Sequence, residues 1–140
     1  MLKNRQYEVL VDFFNTDTIN TDMAFKQFDY GTSTIKFITR YKGNNIELQE
    51  GEQIIVVFQY KNNVVANKVE DNTKYNIPRS MDEEGNIVVN VPKQILKNQG
   101  TVHCEIVILN ELNGNRKTSP NITFSIVKSL MDLEHLDNGE

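Results

Sequence analysis

The sequence is poor in the residues that cross-link small proteins or carry out catalysis. It has one cysteine, Cys104, so no disulfide can form within the chain. It has two histidines and no tryptophan, which leaves little material for metal centres or nucleophilic catalysis. No run of about 18 apolar residues occurs, and residues 1–6 contain no apolar stretch of the kind found in a signal peptide. We therefore expect a soluble protein that is not secreted independently.

Basic residues are also fewer than acidic residues. Fifteen Lys and Arg residues stand against 19 Asp and Glu residues, which gives a net charge of −4 at pH 7. The sequence pI is near 5.2. Proteins that bind nucleic acid neutralise its phosphates with a basic surface. The charge balance therefore predicts no nucleic-acid partner, and the lack of a long apolar run predicts no membrane partner.

Asparagine, in contrast, is abundant. It accounts for 18 of the 140 residues, and many stand beside glycine or a second asparagine, as in Asn62-Asn63, Gly85-Asn86 and Asn113-Gly114-Asn115. Asn and Gly tolerate the positive φ of tight turns, so these clusters predict turns. The short runs between them are rich in Val, Ile, Phe, Tyr and Thr, which fit a pleated surface. The length and this pattern predict one mostly β domain.

The predicted strands alternate between apolar and polar residues. In 7–15, Tyr7, Val9, Val11 and Phe13 share one face. In 53–60 a continuous apolar run predicts a central strand, in which Ile54, Val56 and Phe58, or else Ile55 and Val57, line the interior. Phe124 and Ile126 also face inward in the last strand. The predicted strands are 7–15, 23–28, 33–41, 53–60, 64–69, 74–77 before Pro78, 86–91, 101–109 and 121–127.

Short strands with turns at short intervals are typical of an antiparallel β-sandwich of immunoglobulin-like type, or of a barrel. We favour the all-β sandwich, over residues 1–128. Pro92 is well placed to begin a single helical turn between two of its strands.

After residue 128 the pattern changes. Ser129 can cap a helix, and Leu130, Met131, Leu133 and Leu136 follow with acidic residues between them. Residues 129–140 therefore predict a short amphipathic helix, which is too brief to be stable alone in water. It must dock on its own sandwich, oligomerise or continue into a longer helix. Leu130, Leu133 and Leu136 are the candidate oligomerisation residues.

Residues with chemical potential are few, and their spacing favours structural roles. His103 and Cys104 are adjacent in a strand, so their side chains point to opposite faces and cannot share a metal or a proton. Asp17, Asp22 and Asp29 do not have the spacing of a calcium loop and are better suited to capping and turns. No phosphate loop, zinc motif or catalytic triad occurs. We therefore predict no catalytic residue, no metal and no cofactor, and no enzymatic activity.

Tyrosines offer an alternative function. In a β-sandwich without catalytic residues, exposed aromatic rings could form a platform that binds cell-wall carbohydrate. The absence of tryptophan weakens this alternative, and aromatic residues in strands more often belong to the core. The tyrosines in question are Tyr30, Tyr41, Tyr60 and Tyr75.

The order of these β segments resembles the N-terminal domain of the upper baseplate protein family of siphophages that infect Gram-positive bacteria. The resemblance spans about residues 7–130, and its specificity lies in order and spacing. The similar segments are Asn20-Thr21-Asp22, Ile35-Lys36-Phe37, Ile46-Glu47-Leu48, residues 85–92, Leu96, residues 100–106, and Phe124-Ser125-Ile126-Val127 followed by Ser129-Leu130.

The resemblance implies a structural protein of the phage tail tip. Residues 1–128 would be a β-sandwich that attaches to the baseplate core, and 129–140 would begin a helical stalk that trimerises and carries receptor-binding or fibre modules. Its partners would be other tail proteins, and its location the virion baseplate after assembly in the host cytoplasm. The stretch from Ser129 to Glu140 is shorter than the stalk of that family, which fits either a fragment or a minimal member.

Overall fold

The computed structural model describes residues 5–60, 64–65, 68–69 and 73–131. No helix in this part of the chain has the length and apolar character of a membrane span. The only helix there is one turn, α1 (Lys93–Leu96). The strands are β1 (Arg5–Asp12), β2 (Ile19–Lys26), β3 (Ser33–Arg40), β4 (Glu52–Tyr60), β5 (Val64–Val65), β6 (Lys68–Val69), β7 (Thr73–Arg79), β8 (Asn86–Asn90), β9 (Gly100–Asn110), β10 (Arg116–Thr118) and β11 (Ile122–Val127).

The main strands form two sheets that face each other like a sandwich. The small sheet has the order β1-β3-β8, and the large sheet has the order β2-β11-β9-β4-β7, with β10 paired to β9. β5 and β6 pair with each other as a separate two-stranded ribbon. Both sheets contribute to one apolar core, so the predicted all-β class is confirmed in the form of a two-sheet fold.

Strict alternation decides which residues enter this core. In β4, Ile54, Val56 and Phe58 are buried while Ile55 and Val57 are partly exposed, which confirms the first of the two predicted inward sets. β11 follows the same rule, because Phe124 and Ile126 are buried as predicted. Because side chains alternate along a strand, one inward residue fixes the orientation of the whole strand.

Four aromatic rings join the two sheets. Phe124 makes edge-on contacts with Phe25 and Phe58, at centroid distances of 5.6 and 6.1 Å. Tyr7 of the small sheet meets Phe25 edge-on at 5.3 Å, and its hydroxyl donates to the carbonyl of Ala24 at 3.0 Å. Tyr7 therefore ties β1 to β2 across the sandwich.

The prediction of a purely antiparallel sandwich was wrong, because two pairings are parallel. β1 runs parallel to β3, and β2 runs parallel to β11. The reason is that β2 lies in the large sheet, so the chain crosses the sandwich and returns to place β3 beside β1 in the same direction. Strand patterns in a sequence show which face is buried but not which strands are neighbours.

Two local predictions also need correction. Pro78 was expected to end its strand, but it lies within β7 opposite Ile55. β7 is the last strand of the large sheet, where a missing N–H on the free side breaks no hydrogen bond. β10 lies in a stretch predicted as turn, because three polar residues carry no apolar alternation.

The sandwich has two ends that are defined by strand direction. The exit end is where β2 and β11 finish and β3 begins, and the N–H of Gln27 donates to the carbonyl of Val127 there. The loop end is where β1 and β3 finish and β8 begins, so that Asp12 stands opposite Arg40. The chain leaves the sandwich at the exit end. Residues 129–131 are not helical there, although the N–H of Met131 donates to Ser129 Oγ, and residues 132–140 lie outside the described residues.

Candidate docking surface of the small sheet

The outer face of the small sheet carries an apolar patch. Leu10 is 64% exposed and Val88 is 51% exposed, and Ile38 lies between their strands. Leu10 stands directly opposite Ile38, because β1 and β3 pair in that register. We call Leu10, Ile38 and Val88 the outer patch. Apolar side chains grouped on an exposed sheet face are typical of a contact surface.

The row of the sheet that contains Val88 also contains an ion pair, because Lys36 stands directly opposite Val88. Lys36 Nζ lies 3.7 Å from a carboxylate oxygen of Glu8, across the β1–β3 pairing. One step further, Thr34 Oγ1 donates to Asn90 Oδ1 at 2.9 Å. The outer patch therefore holds Leu10 and Ile38 as direct neighbours, with Val88 beside the ion pair and the Thr34–Asn90 pair beyond it towards the exit end.

At the loop end the outer patch is followed by an ordered turn that Asp12 holds. Asp12 Oδ1 accepts from the N–H groups of Phe14 at 3.0 Å and Lys42 at 2.9 Å, and Oδ2 accepts from Gly43 at 2.8 Å. Lys42 and Gly43 have positive φ values of 50° and 79°, which point their N–H groups towards this carboxylate. These hydrogen bonds, that from Phe14 foremost, lower the pKa of Asp12 below its ordinary value.

The turn brings three side chains together into what we call the aromatic corner: Phe14, Tyr41 and Lys42. The rings of Phe14 and Tyr41 meet edge-on at 5.9 Å, and Lys42 Nζ lies 4.5 Å from the Phe14 centroid. Both rings are about half exposed. Aromatic residues are enriched at protein interfaces, and a cation over a ring face is attracted by the ring quadrupole.

The 82–86 turn supports the same end of the sheet. The carbonyl of Gly85 accepts from both the N–H of Thr39, at 3.0 Å, and its hydroxyl, at 2.7 Å. Asp82 Oδ1 accepts from the N–H groups of Glu84 and Asn86 at 2.9 and 2.8 Å. The hydrogen bond from Asn86 is the largest contribution that lowers the pKa of Asp82. The loop end is thus held by backbone hydrogen bonds to two carboxylates.

Leu130, the one predicted oligomerisation residue within the described part of the chain, lies at the opposite end. Leu130 is fully exposed, and Val127 and Met131 beside it are also exposed. Leu133 and Leu136 lie outside the described residues, so their predicted role stays a prediction.

The four tyrosines considered for sugar binding do not share a platform. Tyr30, Tyr60 and Tyr75 pack against the core, and Tyr75 faces inward opposite Phe58. The Tyr60 hydroxyl donates to the carbonyl of Gln99 at the exit end. Tyr41 belongs to the aromatic corner at the loop end. The geometry gives no support to the alternative carbohydrate-binding function.

The His103-Cys104 pair has the geometry that was predicted. Cys104 is buried, and burial is the main cause that raises the pKa of its thiol. His103 lies on the outer side, where its Nδ1 is 3.1 Å from Asn121 Nδ2. Across the described ranges, no group of three or more His, Cys, Asp and Glu residues is placed to hold a metal ion.

Hollows occur on the outer face of the large sheet. Two neighbouring ones, of about 170 and 260 Å³, share Val57, Lys74 and Glu105 in their linings. Both are open and shallow, and Glu105 is engaged by Arg116 at 3.6 Å. His103 and Cys104 both line the smaller hollow, but the Cys104 side chain is buried on the opposite face of the strand, so the two do not pair as base and nucleophile.

The sequence contained a signal for the docking surface that the prediction did not use. Leu10 and Phe14 occupy outward positions of the predicted strand 7–15, where a half-buried strand normally carries polar residues. The grouping of these residues with Ile38 and Val88 depends on the parallel β1–β3 pairing, which the strand pattern does not reveal.

Comparison with known proteins gives one family and one fold. A model of the BppU N-terminal domain matches residues 4–138. No curated protein matches the chain in sequence. The N-terminal domain of phage TP901-1 ORF48 is similar in structure, with a TM-score of 0.56 and 11% sequence identity over 89% of this chain and 100% of that one. The predicted resemblance is confirmed: the chain belongs to the BppU N-terminal domain family and is a structural domain of the phage baseplate, associated with other tail proteins in the virion tail.

Proposed function

We propose that this domain is an adaptor with two opposite attachment regions. Its outer patch and aromatic corner dock on the baseplate core, and its exit end leads to distal receptor-binding or fibre modules. The main support for two attachment regions is the placement of the exposed apolar groups. Leu10, Val88 and Phe14 lie on the small sheet and its loop end, whereas Val127 and Leu130 lie at the other end.

The exit end is built to give the outgoing chain a defined starting direction. The side chain of Gln27 accepts from the N–H of Ser129 at 3.3 Å and donates to the carbonyl of Lys97 at 2.7 Å. The N–H of Gln27 also donates to the carbonyl of Val127 at 2.8 Å. Three contacts from one residue therefore join β2, α1 and the departing segment.

Beyond this point we propose that residues 129–140 begin a trimeric helical stalk, separate from the sandwich of residues 1–128. A fully exposed Leu130 supports this, because it finds no cover on its own sandwich. In a trimer, Leu130, Leu133 and Leu136 from three chains would meet around one axis and exclude water. Assembly of the trimer would take place in the host cytoplasm, before the virion leaves.

A binding experiment tests the docking surface. The 140-residue chain is titrated against the purified tail-tip proteins of its own phage, together with the double variant Leu10→Asp/Val88→Asp. Buried carboxylates without partners weaken an interface, so the variant should bind the core protein at least tenfold more weakly. Leu112→Asp is the matched control, because Leu112 is 73% exposed but lies outside the outer patch.

The outcomes separate the parts of the proposal. Equal loss of binding in the double variant and in Leu112→Asp would contradict the docking surface. A chain that binds neither a core protein nor a distal tail protein would contradict the adaptor function itself.

A further inference from the structure

We propose that the free edge of β1 receives an extended segment of the neighbouring baseplate protein as an added strand. The proposal rests on the proposed function, because it takes the partner to be a tail protein. It concerns the backbone of β1, which is a different feature from the apolar side chains of the outer patch. Strand addition to an open sheet edge is a general mode of protein recognition.

The hydrogen bonding of β1 leaves one side of its backbone open. Among the described strands, β1 pairs with β3 alone, and the N–H groups of Arg5 and Phe13 donate to the carbonyl oxygens of Thr32 and Arg40, each at 2.8 Å. Backbone groups alternate in direction along a strand, so the odd-numbered residues face β3. The N–H and C=O groups of Gln6, Glu8 and Leu10 therefore point away from β3. Within the described residues, no backbone hydrogen bond meets them from the other side.

The other edge strands carry features that discourage strand addition. β2 has a bulge, since its register with β11 shifts by two residues between Thr123 and Ser125. β7 contains Pro78, β8 has five residues, and β10 has three. Proteins commonly blunt their exposed edges in these ways. β1 has eight residues with no proline, glycine or bulge, so it is the long regular edge in the described part of the chain.

The side chains along the edge of β1 determine which residues an added strand should carry. Leu10 is 64% exposed, and the side chain of Glu8 is 59% exposed even though Lys36 lies 3.7 Å away. Residues directly opposite each other on neighbouring strands interact, with apolar and opposite-charge pairs favoured. The occupant should therefore be an extended segment that places an apolar residue opposite Leu10 and a basic residue opposite Glu8.

A second copy of β1 fits this edge less well. In antiparallel pairing of two β1 strands in one continuous sheet, residues opposite each other share a face, so Glu8 can meet only even-numbered residues. The only basic residue of β1 is Arg5, which lies on the other face. With the two-fold axis at Glu8, two carboxylates would face each other. With the axis at Val9, Glu8 would face Leu10, and with the axis at Leu10, Glu8 of one protomer would face Asp12 of its partner. None of these registers gives Glu8 a basic partner. The geometry therefore favours a different protein.

Proline substitution tests the edge while keeping the sheet intact. The N–H groups of Glu8 and Leu10 do not bond to β3, so Glu8→Pro and Leu10→Pro remove a donor for the added strand without breaking the β1–β3 ladder. Leu10→Ala is the matched control, because it shortens the side chain and keeps the N–H. Binding to the baseplate core protein of the same phage should fall about tenfold in each proline variant and less in the control.

Amide hydrogen exchange on the unmodified chain gives a second measurement that does not depend on variants. On binding the core protein, the amides of Gln6, Glu8 and Leu10 should become protected, whereas those of Tyr7 and Val9 are already protected in the free chain. This alternating pattern is expected only if a strand is added.

Three results would overturn the inference. The first is binding to the core protein without an added strand. It would appear as unchanged amide exchange at Gln6, Glu8 and Leu10, or as folded proline variants that bind like the unmodified chain. Either outcome would leave the adaptor function standing. The second is a homodimer of the free chain that Leu10→Pro abolishes, which would assign the edge to a second copy. The third is a chain that binds no tail protein, which would contradict both the inference and the adaptor function.

Discussion

Two aspartates, Asp12 and Asp82, hold the turns of the loop end through backbone N–H groups, and both have a lowered pKa. The ordinary pKa is 3.8, so their stabilising effect is fully present above that value. It is lost as the pH falls through the lower pKa of the folded state. Asp12→Asn and Asp82→Asn should therefore lower the thermal midpoint at pH 7, and the gap to the unmodified chain should narrow below about pH 4. Thermal denaturation over this pH range measures the effect, and a gap that stays constant would contradict it.

Gly85 combines a positive φ with close packing. Its φ is 84°, and the Cβ of an alanine at this position would lie 2.8 Å from the carbonyl oxygen of Thr39. Gly114 has a similar φ of 76°, but its Cβ would meet nothing within 4 Å. Both alanine variants incur the left-handed backbone cost of roughly 1–2 kcal/mol, and Gly85→Ala should lose more because of the added contact. Urea denaturation gives both free energies of unfolding, and equal losses would show that the contact with Thr39 does not matter.

Phe124 and Phe58 lie at the centre of the aromatic core, and both are fully buried. Truncation of either to alanine should lower the free energy of unfolding by about 3–5 kcal/mol. That is a large part of the total stability of a typical domain. Leu112→Ala, at an exposed position, is the control and should change it by less than about 0.5 kcal/mol. Denaturant unfolding of the three variants checks this, and a small loss in both phenylalanine variants would mean that the core lies elsewhere.

At the scale of elements, the sequence predicted what alternation can reveal. The inward face of β11 was predicted correctly, because Phe124 and Ile126 are its inward residues. The continuous apolar run of β4 left two inward sets open, and the structure buries the one that contains Phe58. Alternation carries no information about strand neighbours, so the parallel pairing of β1 with β3 was missed. It also does not distinguish edge strands from central ones, which is why Pro78 was taken to end β7.

The stalk is the element whose role depends most on assembly. We expect weak, concentration-dependent trimerisation of the 140-residue chain, because residues 129–140 contain fewer than two heptads. Leu133→Asp and a truncation after Lys128 should both remain monomeric and keep the stability of the sandwich. Sedimentation velocity over a wide concentration range, combined with thermal denaturation, measures both properties. If all three proteins are monomeric and the truncation is destabilised, the segment packs on its own sandwich instead.

At the scale of the whole molecule, exposed apolar groups lie on the small sheet with its loop end and at the exit end, while Leu48 and Leu112 are exposed outside the named surfaces. The outer patch could not be predicted as a unit from the sequence, since Leu10, Ile38 and Val88 become neighbours only through strand pairing. The aromatic corner depends on hydrogen bonds that link Asp12 to Lys42, 30 residues away. β11 ends at Val127, where the predicted strand 121–127 also ends, and the polar segment at 128–129 follows it.

The orientation of the domain within the tail is the central claim, and electron cryo-microscopy of intact phage tails tests it directly. The account predicts that the small sheet faces the baseplate core, with Leu10, Val88 and Phe14 at the contact. It also predicts that the chain after Met131 points towards the distal modules. A baseplate in which the small sheet faces solvent and the exit end lies against the core would contradict the account.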